Sequence, residues 1–268
     1  MIEVQNLVYQ YEMNSSDYIF NNLSLKLEKG SFTTLVGPIG SGKSTLVKIL
    51  VGFIKVDSYI KIDELVLCNS NIKQIRTRIG VILEDPDEIF VSETVMDEIA
   101  FALENQNKSK KEIWKKIEEI ADYVGIKSLL ECDPHTLSEG EKRLVSLASA
   151  LVIDPQIIIL DEALSMLDEI SKRKIFNILR ECNKKGITIL NITHDLNESL
   201  YGNDIVLLQN GNVLLQGVKE EVLKQEVKLK RAGLELPFLA DLSIRLMYYG
   251  VLDHMILDMN EMVDAIWK

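Results

Sequence analysis

Residues 37–45 read GPIGSGKST, a match to G-x-x-x-x-G-K-[ST], and they stand between the apolar run SFTTLVG and the helical pattern of STLVKILVGF. No other feature of the chain constrains its fold as strongly. A loop that wraps phosphate oxygens in its own N–H groups needs a strand to deliver it and a helix whose positive end meets the anion. An incidental glycine-rich turn needs neither flank. The spacing predicts a core strand ending at Gly37, a loop through Pro38, Ile39, Gly40, Ser41 and Gly42, and a helix that opens with Lys43, Ser44 and Thr45. In such a loop the lysine reaches the β- and γ-phosphates and the hydroxyl that follows can ligate magnesium.

A second element should serve the metal and the water. IIILDE (157–162) sets Asp161 and Glu162 at the tip of a buried strand, where open α/β sheets carry their sites. Asp161 is suited to Mg²⁺, through water, and Glu162 to polarising an attacking water. The plainer alternative for the pair is a cap for the next helix. At the end of another apolar run, ITILNIT (187–193), comes His194, one of three histidines. It could bond a γ-phosphate and report its presence, although a lone histidine is more often structural.

Around these motifs the chain alternates strand and helix. IEVQNLVYQY and NLSLKLEKG alternate apolar and polar positions, which predicts half-exposed antiparallel strands in front of the buried one. RIGVILED (78–85) reads as another short buried strand, and residues 93–152 read almost wholly as helix, with SKKEIWKKIEEIADYVGI the clearest amphipathic piece. Asn210-Gly211 between DIVLLQ and NVLLQG predicts a hairpin. Beyond residue 219 the pattern turns helical again, with Pro237 placed to open PFLADLSIRLMYYG.

Composition excludes some functions. Forty-one acidic against 30 basic residues leave a formal charge of −11, which argues against a broad footprint for nucleic acid or anionic lipid while leaving local basic contacts open. Cys68, Cys132 and Cys182 are too dispersed to suggest a disulfide framework or a zinc site, so a reducing cytosol is expected. The start lacks the pattern of a secretory leader, and no run reaches the roughly 18 to 20 apolar residues that span a bilayer. Any membrane spans are expected from another chain.

With LSEGE (137–141) lying between the phosphate loop and Asp161, the chain resembles an ATP-binding-cassette ATPase subunit over nearly all of its 268 residues. The resemblance implies an α/β fold: a P-loop core with a mainly parallel sheet, an N-terminal antiparallel β part, an inserted helical subdomain and a small C-terminal helical extension. It implies an ABC ATPase domain over 1–218, with the helical subdomain at about 85–155, and an extension over 219–268 that could contact a second subunit. By the same resemblance Tyr11 stacks on adenine, with Tyr9 close enough to leave Tyr11 open as an ordinary strand aromatic. Glu84 takes the Q-loop position and a place at the metal, Ser138, Gly140 and Glu141 belong to a signature that faces ATP held by a partner, SMLD (165–168) is the D-loop, and His194 is the switch histidine.

EDPDEIFVSETVMDEIAFALEN, DEALSMLD and RAGLELPFLADLSIRLMYYG are similar to the ATPases of energy-coupling factor transporters, which drive uptake of vitamins or of nickel or cobalt ions. That similarity implies ATP and Mg²⁺ as cofactors, and three kinds of partner: a second ATPase subunit, a transmembrane coupling protein and a substrate-capture membrane protein. It places the chain on the cytoplasmic face of the membrane, and the SMLD wording resembles the first ATPase of heterodimeric systems. Three departures stand out: Glu84 where the family has Gln, LSEGE where it has LSGGQ, and Leu144 where an arginine is common. They leave open a regulatory subunit that binds ATP and scarcely hydrolyses it. An ATPase for DNA repair or ribosome work is disfavoured by the acidic balance and the lack of a long coiled-coil insertion.

Overall fold

The alternating runs and the continuous apolar runs sort into two different sheets. In the computed structural model, which describes residues 1–12, 17–87, 89–103 and 109–267, the strands are β1 (Ile2–Tyr9), β2 (Phe20–Leu27), β3 (Phe32–Val36), β4 (Tyr59–Ile62), β5 (Leu65–Val66), β6 (Ile79–Ile82), β7 (Ile157–Asp161), β8 (Thr188–Thr193), β9 (Asp204–Gln209) and β10 (Asn212–Val218). Glu88 and residues 104–108, within the segments read above as loop and helix, lie outside the described residues. The half-exposed strands form an antiparallel sheet in the order β2-β1-β4-β5. The second sheet runs β10-β9-β3-β8-β7-β6, parallel from β9 to β6, with β10 antiparallel at its edge. Every residue of β3, β7 and β8 is buried, as expected of parallel strands covered on both faces.

The helices are α1 (Lys43–Leu50), α2 (Ile72–Arg76), α3 (Val95–Phe101), α4 (Lys110–Val124), α5 (Glu139–Leu151), α6 (Glu169–Lys184), α7 (Lys219–Leu223), α8 (Glu226–Arg231), α9 (Phe238–Tyr248) and α10 (Met259–Ile266). Strand alternation divides the core. Ile157 and Ile159 join Leu7, Phe20 and the α1 residue Leu46 in one cluster, while Ile158 and Leu160 join Ile99, Ala148 and Phe176 from the helical side. Helix α4 opens on a capping box between Ser109 and Glu112 and stops at Gly125, whose φ of 79° lets the chain turn out of the helix. Pro237 stands at the cap of α9, one residue before its first turn. Asn210 and Gly211 have φ of 48° and 69°, as a two-residue hairpin turn requires, and a Cβ on Gly211 would lie 1.9 Å from the Ile19 carbonyl oxygen.

The parallel register places the site. Val36 pairs with Thr193, Ile192 with Asp161, and Leu160 with Ile82, so β3, β8, β7 and β6 all end along one edge. Ligands of open α/β sheets bind outside the carboxyl ends of the strands. Helices α7 to α9 cover another region of the same sheet: Val36, Ile205 and Leu207 share an apolar cluster with Val222, Leu229 and Ala240.

Candidate active site

The loop after β3 can be made only with glycine at two points. A Cβ on Gly37 would meet the Leu208 carbonyl oxygen at 2.2 Å, and Gly42, at φ 100°, lies against the Phe20 ring, where a Cβ would come within 2.8 Å. Helix α1 then starts from Gly42 with no side-chain cap and no acidic residue in its first turn. Its free N–H groups and positive dipole end are thus left for an external anion. Lys43 is buried; its Nζ donates to the carbonyls of Gly37 at 2.8 Å and Pro38 at 3.2 Å and stands 3.4 Å from Glu162 Oε1. Ser41 Oγ is buried without a hydrogen-bond partner.

The carboxylates take different places. Asp161 ends β7 and accepts a hydrogen bond from the Ser44 hydroxyl at 3.1 Å. Burial pushes its carboxyl above the ordinary range, the Ser44 bond opposes this, and the Glu162 charge adds to it. Glu162 sits just past the strand with φ 50°, a left-handed conformation uncommon outside glycine. Its N–H is held by the Ile192 carbonyl at 2.9 Å, and its Oε2 lies 2.7 Å from His194 Nδ1. The helix-cap alternative for this pair does not hold, because α6 is capped by Asp168, which accepts from the N–H groups of Ile170 and Ser171.

A cleft of about 480 Å³ brings together Tyr11, Ile39, Gly40, Gly42, Lys43, Ser44, Thr45, Glu84, Glu162 and His194, a volume within the range of small-ligand sites. Tyr11 rather than Tyr9 lines it: Tyr11 is 60% exposed and bonds the Thr45 hydroxyl at 2.9 Å, while Tyr9 packs edge-on against the Tyr11 ring. Ile19 also lines it, a residue that the motif pattern does not mark. Ser44 and Asp161 form an oxygen donor set of the kind magnesium uses, a few protein oxygens completed by phosphate and water. Among the described residues no group of three or more His, Cys, Asp or Glu could cage a metal alone.

Ser138, Gly140 and Glu141 are not in this cleft. They start α5, where the Ser138 hydroxyl donates to Glu141 Oε2 at 2.6 Å and the Ser138 N–H donates to the same oxygen at 3.0 Å. Glu139 turns to Lys142 at 3.4 Å, and Lys142 also binds Asp87 at 2.6 Å. Leu144 is buried in the core, and the arginine that reaches the loop after β6 is its neighbour Arg143, which donates to the carbonyls of Leu83, at 2.6 Å, and Glu84. A basic pair directly after the signature was the only sequence signal for this tie.

A family profile described as ABC transporter matches residues 20–165. The Energy-coupling factor transporter ATP-binding protein EcfA1 of Mesomycoplasma hyopneumoniae (strain 7448) is 36% identical over 270 residues, 100% of this chain and 98% of that protein. The EcfA1 of Halalkalibacterium halodurans is 33% identical over 268 residues, covering 99% and 96%. The chain belongs to the energy-coupling factor transporter ATP-binding proteins. Among solved structures, cbiO1 from Clostridium perfringens, part of the ABC transporter complex cbiONQ, superposes on this energy-coupling factor ATPase with a TM-score of 0.76 at 31% identity, covering 90% of this chain and 97% of that one. A bacterial ABC transporter cassette solved as a dimer gives a TM-score of 0.73 at 27% identity, covering 81% and 98%. The energy-coupling factor ATPase described here is an ABC-type, ATP-binding enzyme with the corresponding α/β fold.

Proposed function

We propose that this ATPase energises uptake of a vitamin or a transition-metal ion, working beside a second, different ATPase under a transmembrane coupling protein and a substrate-capture membrane protein. The observation that carries this reading is the convergence of Lys43, Ser44, Asp161, Glu162 and His194 at the carboxyl ends of β3, β7 and β8. Tyr11 stacks on adenine. The N–H groups of Gly40 to Thr45 receive the phosphates, and Lys43 exchanges its carbonyl partners for them. Ser44 and Asp161, with Glu84 at the cleft wall, would hold Mg²⁺, which neutralises phosphate charge when bound. Glu162 takes the proton of the attacking water. With His194 Nδ1 committed to Glu162, Nε2 is the nitrogen left for the γ-phosphate.

The case for a different partner rests on two helix starts. Helix α1 is uncapped and has no acidic residue in its first turn, whereas α5 is already capped by its own Glu141 carboxylate. A phosphate brought to Ser138 by a second cassette would meet that charge and a hydroxyl already in use. Two copies of this chain would spoil both sites, so a partner with a neutral signature fits better. The extension over 219–268 is assigned to contact between the two subunits, and the ATPase domain to 1–218 with its helical subdomain at about 85–155.

No described helix is long and apolar enough to cross a membrane, and the chain is assigned to the cytoplasmic face as the peripheral partner of the coupling protein. An apolar groove of about 320 Å³ along the edge strand β6, lined by Leu83, Ile89 and Phe90, is suited to a helix of the coupling protein. The test is purification of the tagged chain from its own membranes in mild detergent. A second cassette of different sequence should co-purify with a multi-span protein. Recovery as a homodimer without any membrane protein would refute the reading.

A further inference from the structure

Lys172 is a buried cation outside the cleft. Lys172, in α6, is 7% exposed, and its ammonium stands 3.4 Å from Asp195 Oδ2 and 3.4 Å from Glu198 Oε1. Glu198 is itself buried, and its other oxygen accepts from Asn191 Nδ2 of β8 at 2.9 Å. Asp195 directly follows His194. Its Oδ1 accepts from the N–H and Nδ2 of Asn197, and its own N–H donates to Thr193 Oγ1 at 3.0 Å. The turn that carries His194 is thus tied to its own strand and, through Lys172, to α6. A lysine is rarely buried unless it is paired, and here it stands between a buried carboxylate and a partly exposed one that would otherwise repel each other.

We propose that Lys172 is a positioning residue: by holding Asp195 and Glu198 it fixes the His194 turn so that the imidazole keeps its contact with Glu162. Lys172 does not line the nucleotide cleft, so its effect on the chemistry runs through the His194 turn. The functional half of the proposal rests on the roles given above to Glu162 and His194.

The test uses the full chain, alone for nucleotide binding and the ring resonances and mixed with its partner ATPase for turnover. Lys172→Met combined with Glu198→Gln removes the pair without stranding a buried carboxylate, Lys172→Arg keeps the cation, and thermal melting checks the fold. With three histidines in the sequence, the His194 ring resonance can be assigned by comparison with His194→Gln. In the double variant that resonance should move, those of His135 and His254 should not, and Lys172→Arg should bring it back. Nucleotide binding should stay within about twofold of wild type while turnover falls about tenfold or more, the scale of a displaced catalytic group. A His194 resonance that stays in place overturns the proposal, and so does a loss of affinity that matches the loss of turnover. A moved resonance with full turnover would uphold the tie and refute the role of His194. Where the double variant does not fold, Asp195→Asn, which removes the carboxylate facing Lys172, gives the same two readings.

Discussion

One oxygen of Glu162 takes both contacts that His194 offers, the ring Nδ1 at 2.7 Å and the backbone N–H at 3.3 Å, while its other oxygen faces Lys43 at 3.4 Å. The carboxylate is therefore held in one orientation by a strand end on one side and a phosphate-loop lysine on the other. Replacing it with an amide keeps the shape and removes the base. Glu162→Gln should bind ATP as wild type does and turn over about 100-fold more slowly, measured by phosphate release in the assembled complex. Near-normal turnover would assign the base elsewhere.

Glu84 should tolerate the same change. Its main chain is held by Arg143 through the carbonyl groups of Leu83 and Glu84, a tie that does not depend on the Glu84 side chain. An amide oxygen also serves a hard cation. Glu84→Gln is expected to assemble normally and to hydrolyse ATP at least as fast as wild type. If assembly and activity are both lost, the negative charge is required, for instance to meet an arginine of the membrane partner.

The self-capped start of α5 makes a prediction about a site that this chain does not own. A carboxylate about 5 Å from a phosphate oxygen costs on the order of 3 kcal/mol per pair of unit charges at an effective dielectric near 20. One charge-assisted hydrogen bond from Ser138 returns only about 1.5 to 3 kcal/mol. In a mixture with the partner ATPase, Glu139→Gly with Glu141→Gln should raise turnover at the site completed by this signature. Brisk hydrolysis by the unmixed wild-type chain, unchanged by the two substitutions, would contradict the asymmetry.

Asp161 couples stability to pH. Burial raises its carboxyl above the ordinary 3.8, so the folded chain binds this proton more tightly than the unfolded one. Its contribution to stability is therefore present at low pH and is lost as pH rises from 3.8 through the higher folded value. Asp161→Asn should melt at a higher temperature than wild type near neutral pH in the absence of nucleotide, with the gain shrinking on acidification. It should also lose magnesium-dependent turnover. Identical melting curves across a pH series would show that burial at this position carries no electrostatic penalty.

How far the residues announced themselves varied along the chain. The phosphate loop was readable because its pattern is contiguous in the sequence and Gly42 answers a local demand, a φ of 100°. Asn210-Gly211 was readable for the same reason. Tyr11 could not be separated from Tyr9 by pattern, since both follow strand spacing and only the end of β1 decides which ring reaches the cleft. The reach of Arg143 and the burial of Lys172 depend on contacts across 59 and 23 residues of sequence, and ordinary helix-surface spacing looks the same whether or not such a contact exists. From its place in the sequence Glu141 can act as an obstacle to phosphate or as an acid that favours a helix start. The capping bonds show how it serves as the second, and its charge is what makes it the first.

Val36 is the last residue of the strand that delivers Gly37, and it is buried among Val222, Leu229 and Ala240 from beyond residue 218. The tail is therefore part of the floor beneath the phosphate loop, and the border at 218 is a change of sequence pattern without being a line along which the fold can be cut. Chimeras that graft the tail of one such ATPase onto the cassette of another would have to carry matching partners for Val36, Ile205 and Leu207. If the tail makes the subunit contact proposed for it, pairing between subunits and the footing of the loop are inherited together, and tail swapping alone would not exchange subunit choice.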